Sequence, residues 1–208
     1  VQIVAVAEPD PVRRELFAAR HQLAADYTFT DWRDLLRQGR LADALVIATP
    51  DQLHVEPAVA ALELGYHLLL EKPIAPTAAG VRAIAAAAGR SSGSVTVAHV
   101  LRYGPFFSTI KRLLDEGQIG ELVNIQHTEN IGYWHFAHSY VRGNWRREDD
   151  SSAMILAKAC HDLDLLRWLV GRPCTSVASF GSLKHFRREN APGGSTARCL
   201  DGCAVERN

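Results

Sequence analysis

The sequence lacks the hallmarks of several protein classes. No apolar run approaches the roughly 20 residues that a membrane helix needs, and the first residues carry no positively charged segment of a signal peptide. Basic and acidic residues balance at 23 each, which excludes the basic surface of a nucleic-acid-binding protein and a polybasic membrane patch. Four cysteines in 208 residues do not form a disulfide framework, so we expect a reducing compartment and a cytoplasmic protein.

The first half of the chain alternates strands with helices. A hydrophobic content of 47% is ordinary for a globular protein. Short apolar runs at residues 1–7, 27–29, 44–48, 66–70 and 95–98 predict five strands, with helical segments between them. This alternation predicts βαβ units and a parallel sheet. The run at residues 66–70 is expected to be buried on both of its faces.

The second half follows an α+β pattern. A helix stopped at Gly117 precedes a strand-like segment at residues 121–131, a loop at 132–147, a longer helix at 154–170 and a strand at 176–183. We predict an α/β fold: a Rossmann-type parallel sheet without its first βα unit, then an α+β domain with a largely antiparallel open sheet. The domain ranges are 1–100 and 101–208, both partial.

The glycine-rich turn of a dinucleotide-binding fold is absent. Such a G-x-G-x-x-G turn lies in a first βα segment of about 30 residues. The chain has no initiator methionine, opens inside a strand-like run and closes on a short charged tail. We therefore expect a fragment of a longer protein.

Glu71 and Lys72 lie at the carboxyl end of the central strand, where open parallel sheets bind ligands. Pro73 forces an extended conformation on Lys72 and permits a cis bond between the two residues. Lys72 is thus a candidate for proton transfer. The alternative is a lysine that ends a strand and faces water.

Glu8 ends the first visible strand. An acid at this place in a dinucleotide fold accepts hydrogen bonds from the adenosine ribose and repels a 2′-phosphate. This favours NAD, although Arg13 and Arg14 leave NADP possible. The alternative role for Glu8 is to cap a helix.

A polar turn follows the strand at residues 44–48. It consists of Thr49, Pro50 and Asp51, with His54 one helical turn further on. These residues either cap the next helix or contact the ribose or nicotinamide side of a cofactor.

These motifs together resemble the Gfo/Idh/MocA oxidoreductase family. The resemblance rests on Ala48-Thr49-Pro50 with His54, on Glu71-Lys72-Pro73, on Arg102 and Pro105, and on Gly117-Gln118-Ile119-Gly120. It spans nearly the whole chain and implies that Lys72 is the catalytic lysine and His161 the active-site histidine. It also implies that Glu71 and residues 49–54 lie against NAD, and that the full-length protein is a homo-oligomer.

The chain departs from the family pattern beside His161. Many members carry an aspartate four residues before this histidine, where this chain has Ala157 followed by Lys158. We expect Lys158 to enter the cleft, where its like charge favours the neutral form of Lys72. The buried stripe expected for this helix consists of Ala159, Leu163, Leu166 and Val170.

The loop at residues 132–147 offers donors and aromatic faces suited to a sugar. Its Trp145 and Arg146 are candidate substrate-binding residues, as are Arg102, Tyr103 and Lys158. A metal site of His135, His138 and His127 is a weaker alternative because the spacing matches no strong zinc pattern. Cys199 and Cys203 form a weak C-x-x-x-C signal, and we interpret Cys160 as a packing residue rather than a nucleophile.

Two functions follow from these residues. The first is an NAD(P)-dependent oxidoreductase that transfers a hydride between nicotinamide and a hydroxyl or carbonyl of a sugar or polyol, with Lys72 as the base. The second is a non-catalytic dinucleotide-binding regulatory protein, which Ala157 and the missing glycine turn favour.

Overall fold

The chain forms two compact units, Val1–Arg172 and Pro173–Asn208. A computed structural model describes residues 1–205, apart from the side chain of Cys199, so the predicted Cys199–Cys203 pair lies partly outside the described residues. The boundary that we predicted near residue 100 lies within the first unit. No helix among residues 1–205 is long and apolar enough to cross a bilayer.

Within the described residues, five short strands occur at the predicted positions. Strands β1 (Val6–Ala7) and β2 (Thr28–Phe29) form one parallel pair. Strands β3 (Ala44–Ile47), β4 (His67–Leu70) and β5 (Val95–Val97) form a parallel sheet in the order β3-β4-β5. The prediction of parallel sheets with intervening helices is therefore confirmed.

Eight α-helices accompany these strands within residues 1–205. They are α1 (Pro11–His21), α2 (Trp32–Arg37), α3 (Val55–Glu63), α4 (Ala78–Arg90), α5 (Pro105–Asp115), α6 (Tyr133–Phe136), α7 (Met154–Ala157) and α8 (Cys160–Val170). Side chains before three of them accept a backbone N–H of the first turn, which is the usual way to satisfy a helix start; they are Asp10, Asp31 and Thr77.

The main core lies on one face of the three-stranded sheet. Helices α3 and α4 cover Leu68 and Leu70 of β4, which are 3% and 0% exposed. On the opposite face Leu69 is 42% exposed and Val46 is 59% exposed. The prediction that β4 is buried on both faces is therefore wrong, because helices of the described residues cover only one of them.

The two strands predicted in the second half do not form within residues 1–205. Residues 122–131 and 176–183 have no strand assignment. Their apolar side chains face solvent, since Val123, Val177 and Phe180 are 94%, 83% and 97% exposed. A segment with an alternating sequence forms a stable strand only where an adjacent strand supplies hydrogen bonds and other residues pack against one of its faces.

The helix predicted at residues 154–170 is divided in two. Helix α7 ends at Ala157 and α8 begins at Cys160. The buried side of α8 also differs from the prediction, because Leu165 is 1% exposed while Leu163 is 59% exposed. His161 precedes Leu165 by four residues and therefore lies on the same, inward side of the helix.

Candidate active site

Strand register brings Lys72 beside His99 at the carboxyl edge of the sheet. Leu70 of β4 pairs with Val97 of β5, and each of the two side chains follows its paired residue by two positions. The Lys72–Pro73 peptide bond is cis, which the sequence had permitted. The edge where open parallel sheets bind ligands thus carries an ammonium and an imidazole.

The break between α7 and α8 provides a hydrogen-bond partner for Lys72. In a continuous helix the Ala157 carbonyl would accept the N–H of His161. Here the His161 N–H bonds the Lys158 carbonyl at 3.4 Å instead. The Ala157 oxygen accepts a hydrogen bond from Lys72 Nζ at 3.0 Å. A main-chain oxygen therefore holds the lysine at the position where the family resemblance leads us to expect an aspartate.

His161 lies close to both Lys72 and His99. The two imidazole rings have centroids 5.9 Å apart and meet edge to face. Burial lowers the pKa of His161, and the positive charge of Lys72 lowers it further. Burial likewise lowers the pKa of His99, against the opposing effect of Asp164. Both rings are therefore neutral at pH 7.

Each of these imidazoles has a buried nitrogen without a partner among the described residues. The two atoms are His99 Nδ1 and His161 Nδ1. A buried polar atom left without a hydrogen bond costs roughly 1–3 kcal/mol. Buried polar atoms without a partner are rare in folded proteins, and a catalytic role or an ordered water is a usual explanation for them.

Arg102, a predicted substrate-binding residue, is engaged in an ion pair. Its Nε and Nη2 donate to the two carboxylate oxygens of Asp164 at 2.7 and 2.5 Å. The guanidinium also lies 5.6 Å from the ring of Trp168. These two hydrogen bonds connect the segment after β5 to helix α8. The neighbouring Tyr103 is 75% exposed.

Lys158 lies on the α8 side of the same region. Its Nζ bonds Glu129 at 2.7 Å, and its charge is one of those that lower the pKa of His161. Next to this pair, His127 Nε2 is 2.6 Å from Asp162. The ammonium of Lys158 is therefore neutralised by a carboxylate from residues 122–131.

His54 connects the ends of strands β3 and β4. Its ring is fully buried, with Nδ1 2.8 Å from the Pro73 carbonyl and Nε2 2.9 Å from the Thr49 carbonyl. Both nitrogens are thus engaged by the main chain, and the residue positions its neighbours rather than facing a cofactor. The Glu71 carboxylate accepts the Lys72 N–H at 3.2 Å and is half-buried.

Asp51 binds the loop before α7. Its carboxylate is 5% exposed and accepts hydrogen bonds from Trp145 Nε1 at 3.1 Å and Ser152 Oγ at 2.5 Å. The adjacent Gln52 donates to the carbonyls of Asp149 and Ser151. We term these contacts the Asp51 clasp. They connect two residues that we had assigned separately to the cofactor and the substrate.

The remaining predicted site residues lie toward solvent. Glu8 Oε1 accepts the Asp10 N–H at 2.9 Å, while Arg14 donates to the Glu8 carbonyl at 2.6 Å. Pro50 and Arg146 are exposed. The structure thus brings Lys72 and His161 together, with Glu71 and Thr49 along the same edge, and leaves Glu8 on the separate β1–β2 pair.

The structure also describes the residues of the two alternative sites, which are the histidines of the metal site and the thiol of Cys160. Among residues 1–205, no cluster of three or more histidine, cysteine, aspartate or glutamate side chains is suited to a metal ion. His135 stacks on Trp134 with ring centroids 5.6 Å apart. Burial raises the pKa of the Cys160 thiol, which keeps it protonated and poorly nucleophilic.

Family models match most of the chain. Residues 1–99 match a model described as an oxidoreductase family with an NAD-binding Rossmann fold. Residues 107–199 match the C-terminal domain model of the same family. The chain belongs to the Gfo/Idh/MocA family.

Named relatives within the Gfo/Idh/MocA family share about 30% of their residues with this chain. Inositol 2-dehydrogenase 4 of Saccharopolyspora erythraea is 31% identical over 198 residues, which are 93% of this chain and 53% of the relative. Levoglucosan dehydrogenase of Pseudarthrobacter phenanthrenivorans is 29% identical over 77% of this chain and 43% of its own. The chain thus spans about half the length of these relatives.

A solved structure in the Gfo/Idh/MocA family agrees with the fold. It is the WlbA dehydrogenase of Bordetella pertussis in complex with NADH and UDP-GlcNAcA, at 26% identity. The TM-score is 0.64, over 81% of this chain and 47% of the solved one.

Sequence reasoning missed one member of the site, His99. It lies two residues beyond Val97, the end of the last strand of the sheet, just as Lys72 lies two residues beyond Leu70. The signal was available, because polar residues at the carboxyl ends of adjacent parallel strands meet at one edge. The contact with His161 depends on the placement of α8, which no local pattern predicts.

Proposed function

We propose that the protein is an NAD-dependent oxidoreductase that acts on a hydroxyl or carbonyl group of a sugar or polyol. The observation that carries this proposal is the arrangement of Lys72 at the sheet edge, bonded to Ala157 and next to His161. This arrangement places a proton-transfer group at the edge where a Rossmann sheet binds its cofactor.

Lys72 acts as the general base for alcohol oxidation. When bound, NAD supplies the hydride chemistry by accepting a hydride from the carbinol carbon. Lys72 in its neutral form takes the hydroxyl proton, so the alcohol loses one hydride and one proton and becomes a carbonyl. The Ala157 carbonyl orients the Nζ, and the neutral ring of His161 bonds the same substrate oxygen. Carbonyl reduction follows the same steps in reverse.

The cofactor side of the site suits NAD. The Glu8 carboxylate ends β1, where it would accept hydrogen bonds from the adenosine ribose. Arg14 donates to the carbonyls of Glu8 and Pro9, so its guanidinium is already engaged rather than available for a 2′-phosphate. Thr49 and Glu71, at the ends of β3 and β4, would face the nicotinamide half.

The substrate class is supported by relatives whose names specify inositol and levoglucosan. Both compounds carry several hydroxyl groups and no net charge. Lys72 with the two neutral imidazoles offers hydrogen bonds without a strong requirement for substrate charge. A neutral sugar or cyclitol therefore suits the site.

The test combines cofactor titration with a substrate screen. We expect NADH to bind more tightly than NADPH, and we expect nicotinamide reduction with at least one polyol from a panel that includes myo-inositol, scyllo-inositol and levoglucosan. Lys72→Met should lower kcat by about 10²- to 10⁴-fold while leaving the NADH dissociation constant within about 3-fold. Lys111→Met on helix α5 is the matched control. Full activity in Lys72→Met would contradict the proposed role.

A non-catalytic dinucleotide-binding role is the second candidate. It is favoured by Ala157, because a carbonyl holds Lys72 without the negative charge of a carboxylate. This role predicts NADH binding with no turnover on any polyol and no effect of Lys72→Met on NADH affinity.

A further inference from the structure

We propose that Asp51 is a positioning residue for Lys72. It acts through Ser152 and helix α7, and it thereby fixes the Ala157 carbonyl that holds the lysine ammonium. This inference rests on the proposed function, because Lys72 is the base of that reaction. It gives Asp51 a different role from the cofactor contact that the sequence predicted.

Helix α7 carries the hydrogen-bond partner of Lys72. Lys72 Nζ donates to the carbonyl oxygen of Ala157 at 3.0 Å. Ala157 is the last residue of α7, which has only four residues, and it is 1% exposed. A helix of one turn is not stable by itself, so contacts with the rest of the protein must fix it. Whatever fixes α7 therefore also fixes the acceptor of Lys72.

The start of α7 is bound to the segment that follows β3. Ser152 lies two residues before the helix and is 3% exposed, and its Oγ donates to Asp51 Oδ2 at 2.5 Å. The side chain of Gln52 donates to the Ser151 carbonyl at 3.2 Å. The N-cap residue, Ala153, has no side-chain group that could cap the helix. Because a carboxylate accepts strong hydrogen bonds, the bond to Asp51 is suited to anchor the start of α7.

A second set of contacts connects Asp51 back to Lys72. His54 lies three residues after Asp51, and its ring is fully buried. Its Nε2 is 2.9 Å from the carbonyl oxygen of Thr49, and its Nδ1 is 2.8 Å from that of Pro73, the residue after Lys72. The backbone around Asp51 is therefore held against the backbone around Lys72. The contacts run in a closed path from the end of β3 through α7 to the end of β4, and back through His54.

The imidazole of His161 reports the position of the Lys72 ammonium. Burial lowers the pKa of His161, and the charge of Lys72 lowers it further. The charged or titratable groups that face this ring are Lys72, His99, Lys158 and Asp162. If the contact between Asp51 and Ser152 is lost, the ammonium should move away from Ala157. Its effect on His161 should then weaken, and the pKa of His161 should rise.

NMR titration of His161 in the Ser152→Ala variant tests the inference. The substitution removes the hydroxyl that binds Asp51 and leaves Lys72 in the chain. We expect the pKa of His161 to rise, in the same direction as in Lys72→Met. In the Lys72→Met background, Ser152→Ala should cause no further rise, because the effect passes through the lysine. A rise that persists without Lys72 would overturn the inference, and so would an unchanged pKa in Ser152→Ala.

Ser151→Ala is the matched control. Ser151 is 8% exposed, and its Oγ donates to the Arg147 carbonyl at 2.9 Å, within the same loop. The substitution therefore removes a buried hydroxyl next to Ser152 without breaking the bond to Asp51, and the pKa of His161 should not change. Equal shifts in the two serine variants would show that any disturbance of this loop moves Lys72, and would overturn the role of Asp51.

Turnover gives a second measurement. Misplacing a catalytic group by about 1 Å can slow a reaction by about 10²-fold. The kcat of Ser152→Ala should therefore fall by about 5- to 100-fold on the polyol that wild type oxidises best, with the NADH dissociation constant within about 3-fold of wild type. In the Asp51→Ala background, Ser152→Ala should lower kcat no further, because both changes break one contact. An unchanged kcat in Ser152→Ala would overturn the inference.

Failure of the proposed function gives a different result. Wild-type protein that binds NADH but oxidises no polyol would overturn the proposed reaction and the part of Asp51 in it. The pKa comparison requires neither cofactor nor substrate, so it would still decide whether Asp51 fixes the position of Lys72.

Discussion

Replacing Trp145 by phenylalanine should destabilise the first unit by removing the indole N–H of the Asp51 clasp. The carboxylate of Asp51 is 5% exposed and accepts that N–H at 3.1 Å. Water cannot readily replace the lost donor at a buried acceptor. The aromatic ring is retained, so the change acts mainly on the hydrogen bond.

The magnitude follows from the charge of the acceptor. A hydrogen bond to a charged group contributes about 1.5–3 kcal/mol to the free energy of unfolding. For a unit of this size, 1 kcal/mol corresponds to about 2–4 °C in Tm. We therefore expect Trp145→Phe to lower Tm by about 3–12 °C. A double-mutant cycle with Asp51→Ala should give a coupling energy of about 1–3 kcal/mol.

Thermal and urea unfolding followed by far-UV circular dichroism measure these effects. The matched control is Trp134→Phe, because Trp134 is 67% exposed and stacks on the ring of the neighbouring His135. Its Tm should change by less than about 2 °C. Equal effects at the two tryptophans, or no coupling between Trp145 and Asp51, would show that the clasp does not stabilise the unit.

Three further predictions concern charge and backbone space. Burial lowers the pKa of His161 and His99, so below about pH 6.5 the unfolded chain binds protons that the folded rings do not. Stability to urea should therefore fall as the pH drops from 7 through 6.5, and His161→Gln should reduce that slope; a slope unaffected by the substitution would contradict the argument. Lys72→Met should raise the pKa of His161, measured by NMR titration, because burial and then the Lys72 charge hold it low; an unchanged value would mean that the two groups are not close. Gly93→Ala should destabilise the protein by about 3 kcal/mol or more in urea unfolding, because a Cβ there overlaps the Tyr66 carbonyl. Gly89→Ala, in open space on α4, should be neutral or stabilising by up to about 1 kcal/mol, and similar losses at both glycines would refute this reading.

The sequence alone determined the local elements of the first half. Short apolar runs correctly predicted all five strands, because such a run between helical segments has few other ways to bury its side chains. It also determined that Lys72 lies just beyond the end of a strand, since Glu71, Lys72 and Pro73 stop the apolar pattern. The family resemblance predicted that His161 is the active-site histidine.

The tertiary structure decided how these elements form a site. Lys72 and Ala157 are separated by 85 positions, and Asp51 and Trp145 by 94. Contacts over such distances depend on strand register and helix placement, which residue patterns within one element do not encode. The same dependence explains why residues 122–131 and 176–183 form no strand, although their alternating sequence predicted strands. Local periodicity specifies how a segment can fold, but only packing against other segments specifies which side chains meet.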